Sequence, residues 1–503
     1  MISSPQNISD CMETLILEKK NEVYLTVNAD ASVERELSEF FTFYVPGYKF
    51  MPAFRNRMWD GKIRLFSHKT KEIYLGLLPY IKAFAEERGY GIVCGEDVDI
   101  DNNVDKEIVT KFSNSLGQAF EARDYQIDAI HHSLKYNRAL LLSPTASGKS
   151  FIIYALIRYY THLIKDDTNN RILLIVPTTS LVEQMYTDFK EYGWNVEKYC
   201  HRLYSGHSKE TNKRVLISTW QSLFRLPKEY FDQFGVVFGD EAHLFKSKSL
   251  SEIMSKLTEC KYRIGLTGTL DGAQTHKLVL EGLFGAVNKV TSTRKLMDKK
   301  QLSNLTVRCL ILKHTPEHCQ TISKGKYQDE IDYLVSSRSR QNFIRNLALK
   351  LQGNTLVLFQ LVEKHGKHLH EIIKEKAADD RKVFYIFGGV EADEREAIRG
   401  IVEKEKDAII VASYGTFSTG VNIKNLHNII FASPSKSRVR NLQSIGRGLR
   451  LGENKVDATL YDIADDMTWK SRENFTLKHF QERINIYTEE EFDYEMHSID
   501  LKD

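Results

Sequence analysis

At 503 residues the chain is too long for one core, and three or four domains are expected; a composition 42% hydrophobic and 27% charged with 9 Pro excludes long disordered stretches. The absence of any run of about 18 apolar residues argues against a membrane span, the polar first thirty or so residues against a secretory signal, and six scattered cysteines without a Cys-x-x-Cys pair against a zinc site or disulfide framework, so a cytoplasmic location is expected. A net charge of +3 is only mildly basic, so any nucleic-acid contact must come from local patches, and composition alone suits a metabolic enzyme equally well.

Residues 1–112 read as a small α+β module rich in aromatic and basic residues, with the acidic stretch 96–106 as its exit. Within it, residues 49–66 (KFMPAFRNRMWDGKIRLF) interleave five basic residues with four aromatics and one acid. Aromatic faces suit bases and basic side chains suit phosphates, which marks Arg55, Arg57, Trp59 and Lys62 as candidate nucleic-acid contacts. Trp59-Asp60-Gly61-Lys62 also reads as the turn of a hairpin whose aromatics are its own core, and the two readings are compatible.

From about residue 115, short apolar runs at 139–143, 172–177, 215–219, 236–240 and 263–267 alternate with amphipathic stretches. This is the pattern of a parallel sheet with helices on both faces. Residues 143–150 read Ser-Pro-Thr-Ala-Ser-Gly-Lys-Ser between an apolar strand and a helical stretch, a Walker A arrangement with Ser143 in place of its first Gly. Such a loop cradles phosphates with backbone N–H groups, so Pro144, Thr145, Ser147, Gly148, Lys149 and Ser150 are candidate ATP contacts. Lys149 supplies charge to the β and γ phosphates, and the Ser150 hydroxyl can ligate Mg²⁺. About ninety residues later, Asp240-Glu241-Ala242-His243 ends another apolar strand, where open α/β sheets bind ligands. Asp240 suits Mg²⁺ through its water shell, and Glu241 suits activation of an attacking water.

A mostly helical stretch at 316–352 leads to a second alternating block, with strands expected at 355–359, 383–387, 408–412, 429–432 and 458–463. After its fourth strand, Gln443-Ser444-Ile445-Gly446-Arg447-Gly448-Leu449-Arg450 sets two arginines three apart, on one face of a helix. A bare arginine pair is usually a solvated helix end. Here guanidinium groups suit a γ-phosphate, with Arg450 as the expected finger, Arg447 as its partner and Gln443 beside them.

Walker A, then DEAH, then QSIGRGLR resembles the superfamily two helicases and translocases. The resemblance implies two tandem RecA-like parallel-sheet α/β domains that hydrolyse ATP with Mg²⁺. It also implies roles for four further segments. Arg123-Asp124-Tyr125-Gln126 resembles the adenine-reading motif, with Gln126 as reader and Arg123 and Tyr125 flanking it. Pro177 and Thr178, then Ser218 and Thr219, resemble loops that touch the bound strand. Leu266-Thr267-Gly268-Thr269 resembles the motif linking the Mg²⁺ site to the nucleic-acid groove. Residues 418–422, with Thr419 and Gly420, resemble the motif that faces both nucleotide and strand.

The leader joined to a compact motor resembles phage recombination helicases. That implies unwinding or branch migration of forks and four-way junctions, contact with single- and double-stranded DNA, dissociation of RNA–DNA hybrids, and work in a host cytoplasm. A monomer is expected. Duplex translocation without strand separation, RNA unwinding, and ATP-gated nucleic-acid binding or annealing are the alternatives. The expected organisation is an accessory domain at 1–112, motor domains at 113–300 and 301–465, and a short helical tail at 466–503.

Overall fold

The computed structural model describes residues 13–99, 101–165, 170–204, 206, 208, 210–420, 423, 425–433, 435–451, 455 and 457–501, with the side chains of 392, 393, 396 and 418–420 left aside. The chain divides into two units. One runs to Ser143 and resumes over Gly148–Val290; the other comprises Pro144–Ser147 and Thr291–Asp503.

In the first unit, the leader builds a four-stranded sheet in the order Glu72–Tyr74, Tyr24–Asn28, Thr14–Lys19, Gly91–Cys94. Side chains alternate across a strand, so Leu15, Leu17, Leu25 and Val27 all face inward. They meet Val33 and Leu37 of helix Ala31–Phe40, and Ile81 and Phe84 of helix Leu78–Arg88.

The rest of this unit is a seven-stranded parallel sheet, ordered Val287–Lys289, Arg138–Leu142, Tyr262–Thr267, Phe234–Gly239, Arg171–Val176, Val215–Thr219, Cys200–Leu203. Its inner strands are nearly continuous apolar runs because helices cover both faces. Five of the seven match the expected strands to within two residues; the two edge strands do not appear in the sequence pattern.

The leader is not a separate body. Its apolar core is continuous with that of the motor sheet, through Leu75, Leu77 and Leu78 against Leu280, Leu283 and Phe284. Gly76 lets the backbones meet: a Cβ there would lie 2.0 Å from the Glu281 carbonyl oxygen. Tyr80 Oη donates to Glu281 Oε2 at 2.6 Å, and Arg138 Nη2 pairs with Glu22 Oε2 at 3.0 Å. The expected boundary at 112 falls inside helix Lys106–Asn114, whose Val109 belongs to the motor core.

The second unit carries another seven-stranded parallel sheet, ordered Val383–Ile386, Ile409–Ser413, Thr355–Phe359, Asn428–Phe431, Asp457–Asp466, Asn304–Lys313, Asp493–Asp500. It begins at Thr291 rather than 301, because helix Thr293–Asp298 belongs with it. The boundary at 465 cuts strand Asp457–Asp466. The tail contains the expected helix, Phe475–Glu489, and then adds the edge strand Asp493–Asp500. Two buried ion pairs tie helices to this sheet: Arg340 to Asp465 at 2.9 Å, and Arg483 to Asp462 at 2.8 Å. Among the described residues no helix is long and apolar enough to cross a membrane.

Candidate functional site

The Walker segment leaves its strand with the Ser143 N–H donating to the Thr267 carbonyl at 2.8 Å. The turn needs two left-handed residues, Ala146 at φ 66° and Gly148 at φ 82°. A Cβ at Gly148 would also lie 2.3 Å from Gln126 Nε2 and displace that amide. Ser147 Oγ donates to the Pro144 carbonyl at 2.6 Å, holding the loop closed on itself. Helix Lys149–Leu163 starts at once, so its first N–H groups face the loop as an anion would require. Lys149 Nζ donates to the Ser143 carbonyl at 3.2 Å, and Ser150 Oγ lies 2.9 Å from Tyr192 Oη.

Asp240 follows strand Phe234–Gly239, and its N–H donates to the Ile175 carbonyl at 3.0 Å. Its carboxylate is buried, and Oδ1 has no hydrogen-bond partner among the described residues. Burial first, then the charge of Glu241, push its pKa up to about 7, against the pull of Lys149. A desolvated carboxylate with a bare oxygen, on the sheet whose P-loop carries Ser150, is a donor set that fits Mg²⁺, which takes few protein oxygens and keeps several waters. No larger cluster of metal-ligating residues exists among the described residues.

Glu241 adopts φ 49°, a left-handed conformation uncommon outside Gly, Asn and Asp. Its Oε2 lies 3.3 Å from His243 Nδ1, which is also 2.9 Å from Thr267 Oγ1. The Thr267 hydroxyl donates to the Thr269 carbonyl at 3.0 Å, so the imidazole Nδ1–H is the donor to Thr267.

Gln126 is buried. Its Oε1 accepts from the Arg123 N–H at 2.9 Å, while Arg123 Nη1 donates to Tyr125 Oη at 2.7 Å. The amide expected to read adenine therefore caps helix Asp124–Tyr136 and braces the P-loop at Gly148.

The expected strand-contacting residues divide. Pro177 and Thr178 are half-buried, and Thr178 Oγ1 caps helix Thr179–Glu191 beside an exposed Ser180. Ser218 does not reach the surface: it is fully buried, and its hydroxyl donates to the Leu203 carbonyl at 3.1 Å. Thr219 is likewise buried, 3.1 Å from Ser222 Oγ, and exposure passes to Gln221.

In the leader, strands Thr42–Tyr44 and Lys62–Arg64 close a tip. Its aromatic frame is an exposed Tyr44 stacked on Tyr48, with Tyr48 edge-on to Phe54. Trp59 belongs to that frame and not to a free platform, because its Nε1 donates to the Lys62 carbonyl at 2.9 Å and the side chain is half-buried. Lys62 Nζ sits 5.0 Å over the Tyr44 ring. Arg55 and Arg57 are exposed.

In the second unit, Gln443 and Arg447 lie half-buried on helix Arg438–Gly448. Arg450 lies just past its end, its N–H 3.5 Å from the Arg447 carbonyl. Sequence reasoning missed Lys455, whose buried amine donates to the carbonyls of Gly448 and Arg450. Burial pushes its pKa down to about 7. Ser413 Oγ donates to Thr416 Oγ1 at 2.8 Å at the start of helix Tyr414–Gly420. The side chains of Ser418 and Thr419, the surroundings of Gly420, and Val421 and Asn422 lie outside the described residues.

Three family models match the chain. One described as "DNA helicase UvsW, N-terminal" covers residues 17–95, "Type III restriction enzyme, res subunit" covers 119–272, and "Helicase conserved C-terminal domain" covers 338–452. The ATP-dependent DNA helicase uvsW of Enterobacteria phage T4 is 34% identical over 501 residues, 95% of this chain and 98% of its own. The DNA 3'-5' translocase XPB2 of Sulfurisphaera tokodaii is 24% identical over 388 residues, 68% of this chain and 81% of its own. The crystal structure of T4 UvsW is similar with a TM-score of 0.52 at 32% identity, over 97% of this chain and 100% of that one. A fragment of a putative type I restriction HsdR subunit from Vibrio vulnificus YJ016 reaches 0.56 at 18% identity, over 84% and 74%, a likeness of fold alone.

Proposed function

The chain belongs to the UvsW family of superfamily two, ATP-hydrolysing DNA helicases, and on that premise we propose that it unwinds or branch-migrates forked and four-way DNA. The observation that carries the branched-DNA part is the leader's core running unbroken into the first motor sheet. A basic tip mounted that firmly moves with the motor and can hold a branch while the motor advances.

In this reading the P-loop N–H groups and Lys149 hold the phosphates of ATP. Asp240 and Ser150 would hold Mg²⁺, which when bound neutralises charge on the phosphate oxygens. Glu241 takes the proton of the attacking water, and His243 fixes its carboxylate. Arg447 and Arg450 supply positive charge to the γ-phosphate as the bond to it breaks. Pro177, Thr178 and the N–H groups beside Thr219 contact strand phosphates, with Thr419 and Gly420 assigned to strand and nucleotide. Action on RNA–DNA hybrids, a monomeric state and work in a host cytoplasm belong to the same proposal.

The test is ATP-dependent conversion of a forked duplex and a four-way junction, beside a blunt linear duplex, with Lys149→Ala as control. Conversion of the branched substrates alone, lost in the variant, supports the reading. DNA-stimulated ATP hydrolysis with no strand separation replaces it with duplex translocation.

A further inference from the structure

The tip holds two side chains that its own architecture does not use. Phe50 and Met58 are 76% and 75% exposed, more than any other large hydrophobic side chain among the described residues. Neither is needed to hold the tip together. Tyr44, Tyr48 and Phe54 supply ring packing, Trp59 a hydrogen bond to the Lys62 carbonyl, and only Gly fits at 61 because a Cβ there would lie 2.3 Å from the Tyr48 ring. The backbone is fixed as well. The Met58 N–H donates to the Ala53 carbonyl at 2.9 Å, and Arg57 is held at φ 56°. Phe50 and Met58 therefore stand on a rigid mount.

Charge says what they meet. Lys49, Arg55 and Arg57 are exposed on the same tip, and none of the three makes an ion pair among the described residues. The one acid of the tip, Asp60, is occupied by Arg64 and by the Lys62 N–H. Lys49, Arg55, Arg57 and Met58 line a depression of about 620 Å³ together with Phe54, Trp59 and Asp60. Two exposed apolar side chains on a tip with three exposed cations that make no ion pair among the described residues suit a polyanion that can offer apolar faces between its charges. A nucleic-acid duplex opened at a branch does that: phosphates outside, unstacked bases inside.

We propose that Phe50 and Met58 form a wedge that enters the base stack at a DNA branch point and holds the first opened pair apart, while Lys49, Arg55 and Arg57 clamp the phosphates of the parting strands. The wedge rests on the branched-DNA reading above and gives that reading its point of strand separation. It is carried to the motor through Gly76, Tyr80 and Arg138, so a motor step and a wedge advance are one movement.

The experiment uses the full chain and a forked duplex with 2-aminopurine at the branch. Fluorescence reports unstacking on binding without nucleotide; strand separation is then followed with ATP. The variants are Phe50→Ser with Met58→Ser, and Phe50→Trp with Met58 kept. The wild type is expected to brighten the probe. The double variant should lose that rise and separate strands roughly tenfold more slowly at saturating DNA, and Phe50→Trp should keep both. Both side chains are solvent-facing, so the double variant should melt with the wild type. A double variant equal to the wild type in both readouts, or a wild type that never brightens the probe, overturns the wedge. Brightening that depends on Phe50 and Met58 without ATP-driven separation keeps the wedge and overturns the unwinding reading instead.

Discussion

His243 Nδ1 lies 2.9 Å from Thr267 Oγ1 and 3.3 Å from Glu241 Oε2. One proton donor thus joins the carboxylate proposed to activate water to the strand end that also receives the Ser143 N–H at the mouth of the P-loop. A change in charge at Glu241 is felt at Thr267 through a single imidazole. Thr267→Val keeps the shape but removes this acceptor together with the hydroxyl's bonds to the Thr269 carbonyl and N–H. Strand separation should fall about tenfold, the cost of one to two kcal/mol for a lost hydrogen bond to a polar group, and ATP hydrolysis should fall less. Parallel measurements of hydrolysis and unwinding on one fork check this; equal losses in both would remove His243 and Thr267 from the coupling.

Asp240 makes a prediction of opposite sign for stability and activity. Its folded pKa is raised to about 7 from an ordinary 3.8, so between those values the folded state binds the extra proton. Stability without metal therefore declines as pH rises through that window and levels above about 7. Asp240→Asn keeps the shape and abolishes the charge. It should raise the Tm of the metal-free protein at pH 8, with little change near pH 4, while abolishing ATP hydrolysis. Thermal melts at both pH values check the sign, and addition of Mg²⁺ with nucleotide should narrow the gap by stabilising the wild type alone.

The inner strands of both sheets are readable because burial on two faces demands runs such as RILLIV at 171–176 and IIVAS at 409–413. The edges are not. Val287–Lys289 is three residues long, and Asp493–Asp500 reads DYEMHSID, charged because it faces solvent. Asn304–Lys313 does alternate, with Leu305, Val307 and Cys309 buried, but Asn304, Thr306 and Arg308 hide it from a search for apolar runs. The phosphate loop and the acidic strand end are written in contiguous residues, so chemistry exposes them. What supports them is not contiguous. Tyr192 reaches Ser150 from just past the end of helix Thr179–Glu191, and Gln126 meets Gly148 only once the sheet forms. Arg263 is the extreme case. It is the second residue of the central strand Tyr262–Thr267 yet is fully buried, donating to the carbonyls of Leu283, Leu257 and Met254. No local pattern marks an arginine as the staple behind a sheet.

The leader's attachment can be broken at one atom. A Cβ at Gly76 would meet two backbone carbonyl oxygens, at 2.0 Å from Glu281 and 2.7 Å from Gly282, and backbone cannot rotate away. Gly76→Ala should cost about 1–3 kcal/mol, the usual penalty for overpacking a filled contact. Urea unfolding measures the loss, and protease cutting in the acidic stretch 96–106 should quicken as the leader loosens. Branched-DNA conversion should fall further than ATP hydrolysis, because the tip no longer moves with the motor.

Lys455 closes the end of the helix that carries Arg447. The last carbonyls of a helix lack intrahelical donors, and the Lys455 amine answers those of Gly448 and Arg450. Lys455→Met fills the space but leaves both oxygens unanswered, so the backbone at Arg450 shifts and its guanidinium with it. Misplacing a charge-stabilising group by about 1 Å costs up to roughly a hundredfold in rate, so kcat for ATP should fall by about ten- to a hundredfold with KM changed less. The pH profile of stability separates this from a general packing defect. The folded pKa of Lys455 is lowered to about 7 from 10.5, so between those values the unfolded state binds the extra proton. Wild-type stability gains from rising pH across that window, and the methionine variant does not share the gain. The stability gap between the two should therefore widen from pH 7 to pH 10. A gap that stays constant would mean that the amine is charged in the folded state and that the helix end is held in some other way.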